Sequence, residues 1–105
     1  DDSIVRGNTI KSLSRLFQDA GVKEFHMRVF SPPVKGPCYY GIDIPTSEEL
    51  VANRMSIEEI EVYTHLTSLQ YISVEGMLET IAVFPKNEQN FCTGCFTGKY
   101  NAELF

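Results

Sequence analysis

Apolar residues recur at helical spacing early in the chain: Ile10, Leu13, Leu16, Phe17 and Ala20 fall on one face of a 3.6-residue repeat. Asn8 or Thr9 is suited to cap this helix at its start. Gly21 sits where a left-handed residue commonly closes one. Residues 24–30, EFHMRVF, mix aromatic and β-branched side chains in partial alternation and predict a strand. Ser31-Pro32-Pro33 stops it, because proline supplies no ladder donor and restricts the residue before it. Residues 31–46 hold four of the chain's five prolines and two glycines, so a long irregular loop is expected. Such a loop inside a compact unit usually serves function.

Thr46 or Ser47 starts a short helix with Glu48 and Glu49 in its first turn. Ser56-Ile57-Glu58-Glu59 has the capping-box pattern and opens a helix to about residue 66. Residues 69–73 predict a short strand and 74–83 a further helix, while the chain from Pro85 onward is polar, glycine-containing and read as loop. The order is an α/β pattern, but an incomplete one, since two strands do not make a covered parallel sheet. In doubly wound folds ligand loops leave the carboxyl ends of strands. Asp1 therefore reads as the point where a preceding strand has been cut off.

Composition narrows the choice of partners. Nine Lys and Arg against fourteen Asp and Glu give a net charge of −5, which argues against a nucleic-acid surface. A hydrophobic share of 43% with 22% charged residues over 105 residues fits one small globular unit. No stretch approaches the roughly 20 apolar residues of a membrane span, and no signal-peptide pattern is present, so no membrane partner is expected. Three cysteines cannot pair off, which suits a reducing, cytoplasmic setting. Cys92 and Cys95 form a C-x-x-C, while Cys38 lies 54 residues before Cys92. Spacing alone leaves a metal site, a redox pair and idle thiols all open. His26 and His65 are each alone, without metal-type spacing, and read as strand or surface residues.

The segment Asp1-Asp2-Ser3-Ile4-Val5-Arg6-Gly7-Asn8-Thr9 combines two carboxylates, a glycine and two hydroxyls with a helix start. A helix N-terminus presents unpaired N–H groups and a partial positive charge to an anion. Gly7 allows close backbone approach, and Ser3 and Thr9 add hydroxyl donors. Carboxylates repel phosphate, so Asp1 and Asp2 must face a sugar diol or Mg²⁺. A sugar phosphate with a metal satisfies both halves of the loop.

This string, DDSIVRGNT, resembles the phosphoribosyl-pyrophosphate (PRPP) loop of the amidophosphoribosyltransferases, the glutamine PRPP amidotransferases of purine synthesis. Three more segments agree in order and spacing: SPPVKGPCYYGID at 31–43, SLQYISVEGML at 68–78 and CTGCFTGKY at 92–100. Asn101 stands where many members have Pro. The resemblance implies the C-terminal part of a type I phosphoribosyltransferase domain, a Rossmann-like parallel sheet incomplete in residues 1–105. Its parts would be the PRPP loop at 1–9, the Cys-bearing loop at 31–46 and the C-x-x-C segment at 85–105.

The activity so implied converts PRPP, glutamine and water to 5-phosphoribosylamine, glutamate and pyrophosphate, the first step of de novo purine synthesis. Asp1 and Asp2 would bind Mg²⁺ and the ribose hydroxyls; Ser3, Ile4, Val5, Arg6, Gly7, Asn8 and Thr9 would cradle the 5′-phosphate. No residue is assigned a proton-transfer role. Cys38, Cys92 and Cys95 match three of the four ligands of the [4Fe–4S] cluster in one branch of the family, the fourth lying upstream. The N-terminal glutaminase domain, source of the ammonia, is not in this chain, so the 105 residues alone are expected to be inactive. Purine nucleotides are expected feedback ligands of the whole enzyme, and self-association is expected from an uncovered sheet edge. The rival readings are a non-catalytic PRPP-sensing module and a small zinc-binding interaction domain using the three cysteines and one histidine.

Overall fold

The computed structural model describes residues 1–44, 46–81 and 91–100. The first helix, α1, spans Asn8–Asp19, and strand β1 spans His26–Val29. A 3₁₀ turn at Ser47–Glu49 leads into α2, Val51–Arg54, and α3 covers Ile57–Thr64. Strand β2 is Ser68–Tyr71, followed by α4 at Val74–Ile81 and the single-turn α5 at Gly94–Thr97. The α/β pattern is thus present. The short helix expected from Thr46 or Ser47 appears as the 3₁₀ turn followed by α2, whereas α5 falls in a stretch read as loop. The predicted tail of the helix to residue 83, the segment 85–90 and Asn101 lie outside the described residues.

Strands β1 and β2 pair in parallel, His26 opposite Ser68 through Val29 opposite Tyr71. Parallel neighbours need a crossover, here the stretch carrying α2 and α3. Alternation along β1 buries Met27 and Val29 and exposes His26 and Arg28. Those two side chains join Ile4, Ile10, Val51, Ile60, Leu66 and Leu69 in the core. On the other side of β1, the Asp1 main-chain nitrogen donates to Arg28 C=O (2.9 Å) and Phe30 N–H donates to Asp1 C=O (3.0 Å). That bond pattern is a parallel bridge between Asp1 and Val29, so Asp1 occupies a strand position beside β1.

The α3 start is the capping box expected: Glu59 N–H donates to Ser56 Oγ (3.1 Å) and Ser56 N–H to Glu59 Oε2 (3.0 Å). Two sequence expectations for α1 fail. Its N-cap is Gly7, at φ 83°, with no side-chain cap from Asn8 or Thr9. Glycine takes the left-handed region without a Cβ penalty and so turns the loop into the helix where a polar cap residue would not. Gly21, at φ 87°, does follow the helix in left-handed conformation. The apolar stripe is only half used: Ile10 is buried, but Leu16, at 63%, Phe17 and Ala20 are exposed. The helix instead meets α3 through Ser14, fully buried, whose hydroxyl donates to His65 C=O (3.2 Å). A small polar residue lets the two helices approach there, and the last turns of α1 extend past the core. Phe17 packs edge-on against Phe25, with ring centroids 4.8 Å apart.

Candidate functional site

The loop before α1 forms a cavity of about 450 Å³ lined by Asp1 through Ile10. All nine residues expected at the anion site therefore come together, with Ile10 added. Two roles sort themselves by burial. Ile4 and Ile10 turn their side chains into the core and offer the cavity their backbone. Asp1, Asp2, Asn8 and Thr9 are exposed on it. The first i to i−4 bond of α1 runs from Lys11 N–H to Gly7 C=O (3.1 Å), so the N–H groups of Asn8, Thr9 and Ile10 precede the ladder and have no helical acceptor. No acidic residue lies in that first turn to compete with an incoming anion.

The loop is held from behind. Val51 N–H donates to Val5 C=O (2.9 Å), and the Val51 side chain lies under Gly7, where a Cβ would come within 3.5 Å. Arg6 faces Glu49 at 3.7 Å, a half-exposed pair of little energetic weight. Asp1 Oδ1 accepts from Asp2 N–H (2.8 Å), and Asp2 Oδ1 accepts from Ser3 Oγ (3.3 Å), which orients both carboxylates at the rim. Two exposed carboxylates there fit a hydrated Mg²⁺, an ion usually held by one or two protein carboxylates plus substrate phosphates. They also fit a vicinal diol, whose hydroxyls donate. Sequence reasoning did not find Val51 or Glu49. Their signal was the SEELVANR stretch after the proline-rich loop.

A second cavity, of about 190 Å³, is lined by Cys38, Tyr40, Ile42, Ile44, Cys92, Cys95 and Tyr100. The structure thus brings Cys38 to the sequence-distant pair Cys92 and Cys95, all as free thiols. Burial pushes the Cys95 thiol up, and the neighbouring Cys38 and Cys92 sulfurs push it further. Tyr40 N–H points to Cys38 Sγ at 3.4 Å. Among the described residues no three His, Cys, Asp or Glu side chains converge on a single-ion position. The two histidines lie elsewhere. His26 Nδ1 meets Ser68 Oγ (2.8 Å) and its Nε2 meets Glu24 (3.1 Å), while His65 caps the C-terminus of α3 at φ 58°.

The scaffold of this second site is backbone. Lys35 and Gly36 N–H both donate to Cys95 C=O (2.8 and 3.0 Å). Tyr100 Oη donates to Pro37 C=O (2.7 Å), and its ring meets Tyr39 edge-on at 4.8 Å. Tyr100 was not singled out from the sequence. Its signal was its place five residues after the second cysteine of the C-x-x-C.

No family model matches the chain. Curated relatives do, over nearly all of it. Amidophosphoribosyltransferase 1, chloroplastic, of Arabidopsis thaliana is 47% identical over 100 residues, 95% of this chain and 17% of the relative. The Mycobacterium tuberculosis amidophosphoribosyltransferase is 47% identical over 109 residues, 99% of this chain and 20% of the relative. The human one is 40% identical over 127 residues, 99% of this chain and 25% of the relative. The chain therefore spans a quarter or less of the length of these relatives. Among solved structures, the glutamine PRPP amidotransferase of B. subtilis complexed with ADP and GMP matches with a TM-score of 0.86 at 42% identity. That match covers 100% of this chain and 23% of that one.

Proposed function

Since the chain belongs to the amidophosphoribosyltransferase family, 40–47% identical to its members over 95–99% of its own length, we propose that it supplies the PRPP-binding loop of such an enzyme. The reaction is displacement of pyrophosphate from the ribose anomeric carbon by glutamine-derived ammonia, giving 5-phosphoribosylamine. The observation carrying this reading is the cavity at the start of α1. Residues 1–10 surround it, Gly7 turns it, and the N–H groups of Asn8, Thr9 and Ile10 open into it.

Each part of the substrate has a counterpart. The 5′-phosphate sits on the unpaired N–H groups and the Ser3 and Thr9 hydroxyls, where the helix dipole favours negative charge. Asp1 and Asp2 accept from the 2- and 3-hydroxyls and fix the ring. The same two negative charges favour the positive charge that develops on the ring as pyrophosphate departs. Asp1 and Asp2 would also hold Mg²⁺, which when bound would neutralise charge on the leaving pyrophosphate.

Cys38, Cys92 and Cys95 are proposed as three ligands of a [4Fe–4S] cluster, a structural element joining the loop 31–44 to α5. Their shared cavity supports this. A PRPP-sensing module without catalysis accounts for the first cavity and leaves the second unexplained. A reducing, cytosolic setting suits the free thiols, although some relatives are chloroplastic. Purine nucleotides are proposed as feedback ligands, since the B. subtilis neighbour is complexed with ADP and GMP. Self-association remains part of the proposal.

The test is kinetic. In the full-length protein, Asp1→Asn and Asp2→Asn each lose a charged hydrogen bond to the diol, so kcat/KM for PRPP falls about 10–100-fold. Glutamine hydrolysis measured separately stays intact. Unchanged kcat/KM in both variants overturns the assignment.

A further inference from the structure

Tyr100 is in contact with both segments that carry the cysteines. Its hydroxyl donates to Pro37 C=O at 2.7 Å, one residue before Cys38. Its ring lies against Gly94, beside Cys95: a Cβ on Gly94 would collide with the ring carbons, and a Cβ on Gly36 would come within 2.6 Å of its hydroxyl. The ring also lines the sulfur cavity and meets Tyr39 edge-on. Two glycines that admit one aromatic ring, plus a hydrogen bond across 63 residues of sequence, make a clamp. Two further cross-links are the bonds from Lys35 and Gly36 N–H to the Cys95 carbonyl. Those fix the backbone near Cys95, and Tyr100 reaches the residue next to Cys38.

We propose that Tyr100 is the positioning residue of the cysteine site, setting the distance of Cys38 from Cys92 and Cys95. The inference rests on the reading of these cysteines as ligands of one sulfur-bound iron cluster. It goes beyond that reading in naming a non-ligand that decides whether the cluster site is assembled. Ring and hydroxyl have separate tasks. The ring fills the space over Gly36 and Gly94 and holds the two segments apart at a fixed distance, while the hydroxyl fixes the register of the Cys38 loop.

The experiment uses the full-length protein with Tyr100→Phe, Tyr100→Ala, Gly36→Ala and Cys38→Ala. In metal-free protein, a short thiol cross-linker followed by peptide mapping compares the Cys38–Cys95 link with the Cys92–Cys95 link. Tyr100→Ala lowers the first at least about fivefold with the second unchanged; Gly36→Ala, which displaces the ring, does the same, and Tyr100→Phe keeps most of it. After anaerobic reconstitution, iron and sulfide per chain, the electron paramagnetic resonance spectrum of the reduced protein and the rate of iron loss in air are measured. Tyr100→Phe retains iron but loses it in air several-fold faster with a shifted spectrum, whereas Tyr100→Ala retains little iron. If Cys38→Ala holds as much iron as the unsubstituted protein, the cluster reading fails, and the cross-linking ratio still decides the role of Tyr100. If Cys38→Ala loses its iron while Tyr100→Ala keeps full iron, spectrum, air lifetime and cross-linking ratio, the positioning role is overturned.

Discussion

Gly7 is where the loop turns into α1, and replacing it with alanine separates backbone geometry from side-chain space. Its φ is 83°, and an added Cβ would meet Val51 no closer than 3.5 Å, an ordinary contact. Gly7→Ala therefore creates no clash. What it creates is a left-handed alanine, which costs about 1–2 kcal/mol. Gly21 supplies the control, with φ 87° and nothing within 4 Å of an added Cβ. Both substitutions carry the same backbone penalty, so both lower stability in urea unfolding of the full-length protein by about 1–2 kcal/mol. Only Gly7→Ala acts on the ligand. If the loop rotates to relieve the strain, the N–H groups of Asn8, Thr9 and Ile10 turn away from the phosphate. The same energy then appears as roughly 5–30-fold weaker binding of PRPP, read by titration in the presence of Mg²⁺. PRPP affinity unchanged in Gly7→Ala, or weakened equally in Gly21→Ala, refutes the argument that this turn builds the phosphate site.

Other expectations concern stability and the limits of the chain. The Tyr71 ring is half-buried, but its hydroxyl oxygen is fully so and has no hydrogen-bond partner among the described residues. Tyr71→Phe removes an unsatisfied polar atom and raises stability by about 1 kcal/mol; a lower urea midpoint contradicts this. Burial also pushes the Tyr71 phenol above its ordinary 10.0. Above pH 10.0 the unfolded chain ionises this group before the folded one does, so the stability it contributes at lower pH is lost as pH rises through the folded value. The alkaline decline in stability is accordingly shallower in Tyr71→Phe than in the unsubstituted protein, measured by unfolding between neutral pH and pH 11, about one unit above the ordinary tyrosine value. Ser56→Ala breaks the capping box at α3 and costs about 1 kcal/mol, checked by the same unfolding assay. The 105-residue chain alone, mixed with PRPP, glutamine and Mg²⁺, releases no pyrophosphate above background; sustained release contradicts the division of labour proposed for the family.

The elements that were legible in the sequence are those whose signals are local. Ser56 and Glu59 write the start of α3 in four residues, and the alternation of Met27 and Val29 writes the buried face of β1. The α1 cap was misread because the rule for polar caps looks at side chains, while Gly7 caps by a backbone angle no side chain announces. The α1 stripe was over-read for a related reason. Periodicity reports which face is apolar, not how far a partner extends along it, and Leu16 remains at 63% exposure. The loop at residues 1–9 was legible as a candidate site, because nine adjacent residues carry its signal and line one cavity. The cysteine site was not. Cys38 joins Cys92 and Cys95 only through the fold, and its grouping from sequence came from family resemblance rather than from spacing. Tyr100 reaches Gly36 and Pro37 only through the fold, and its place after the C-x-x-C was its one local signal.

The two candidate sites share a support. Asp1 stands beside Val29 in a parallel bridge, so the loop 2–7 leaves its strand position at the same end of the sheet from which the loop 31–44 leaves β1. That is the edge where α/β folds place their ligands. Between the loops lies α2, four residues long, the continuation of the short helix expected from Thr46 or Ser47. At its start, Val51 N–H holds Val5 C=O, and the Val51 side chain packs under Gly7. Two residues later, Asn53 Nδ2 donates to Lys35 C=O (2.7 Å) and Ser47 C=O (3.2 Å), while Lys35 N–H donates to Cys95 C=O. The loop 1–9 is thus joined to the cysteine segment through one turn of helix and three hydrogen bonds. Val51 is fully buried, so this turn cannot shift towards either loop without opening the core. A cluster proposed as structural need not touch substrate to matter for catalysis under this arrangement. By ordering residues 35–38 and α5, the proposed cluster would fix one end of the strut whose other end sets the height of Gly7 beneath the proposed phosphate site.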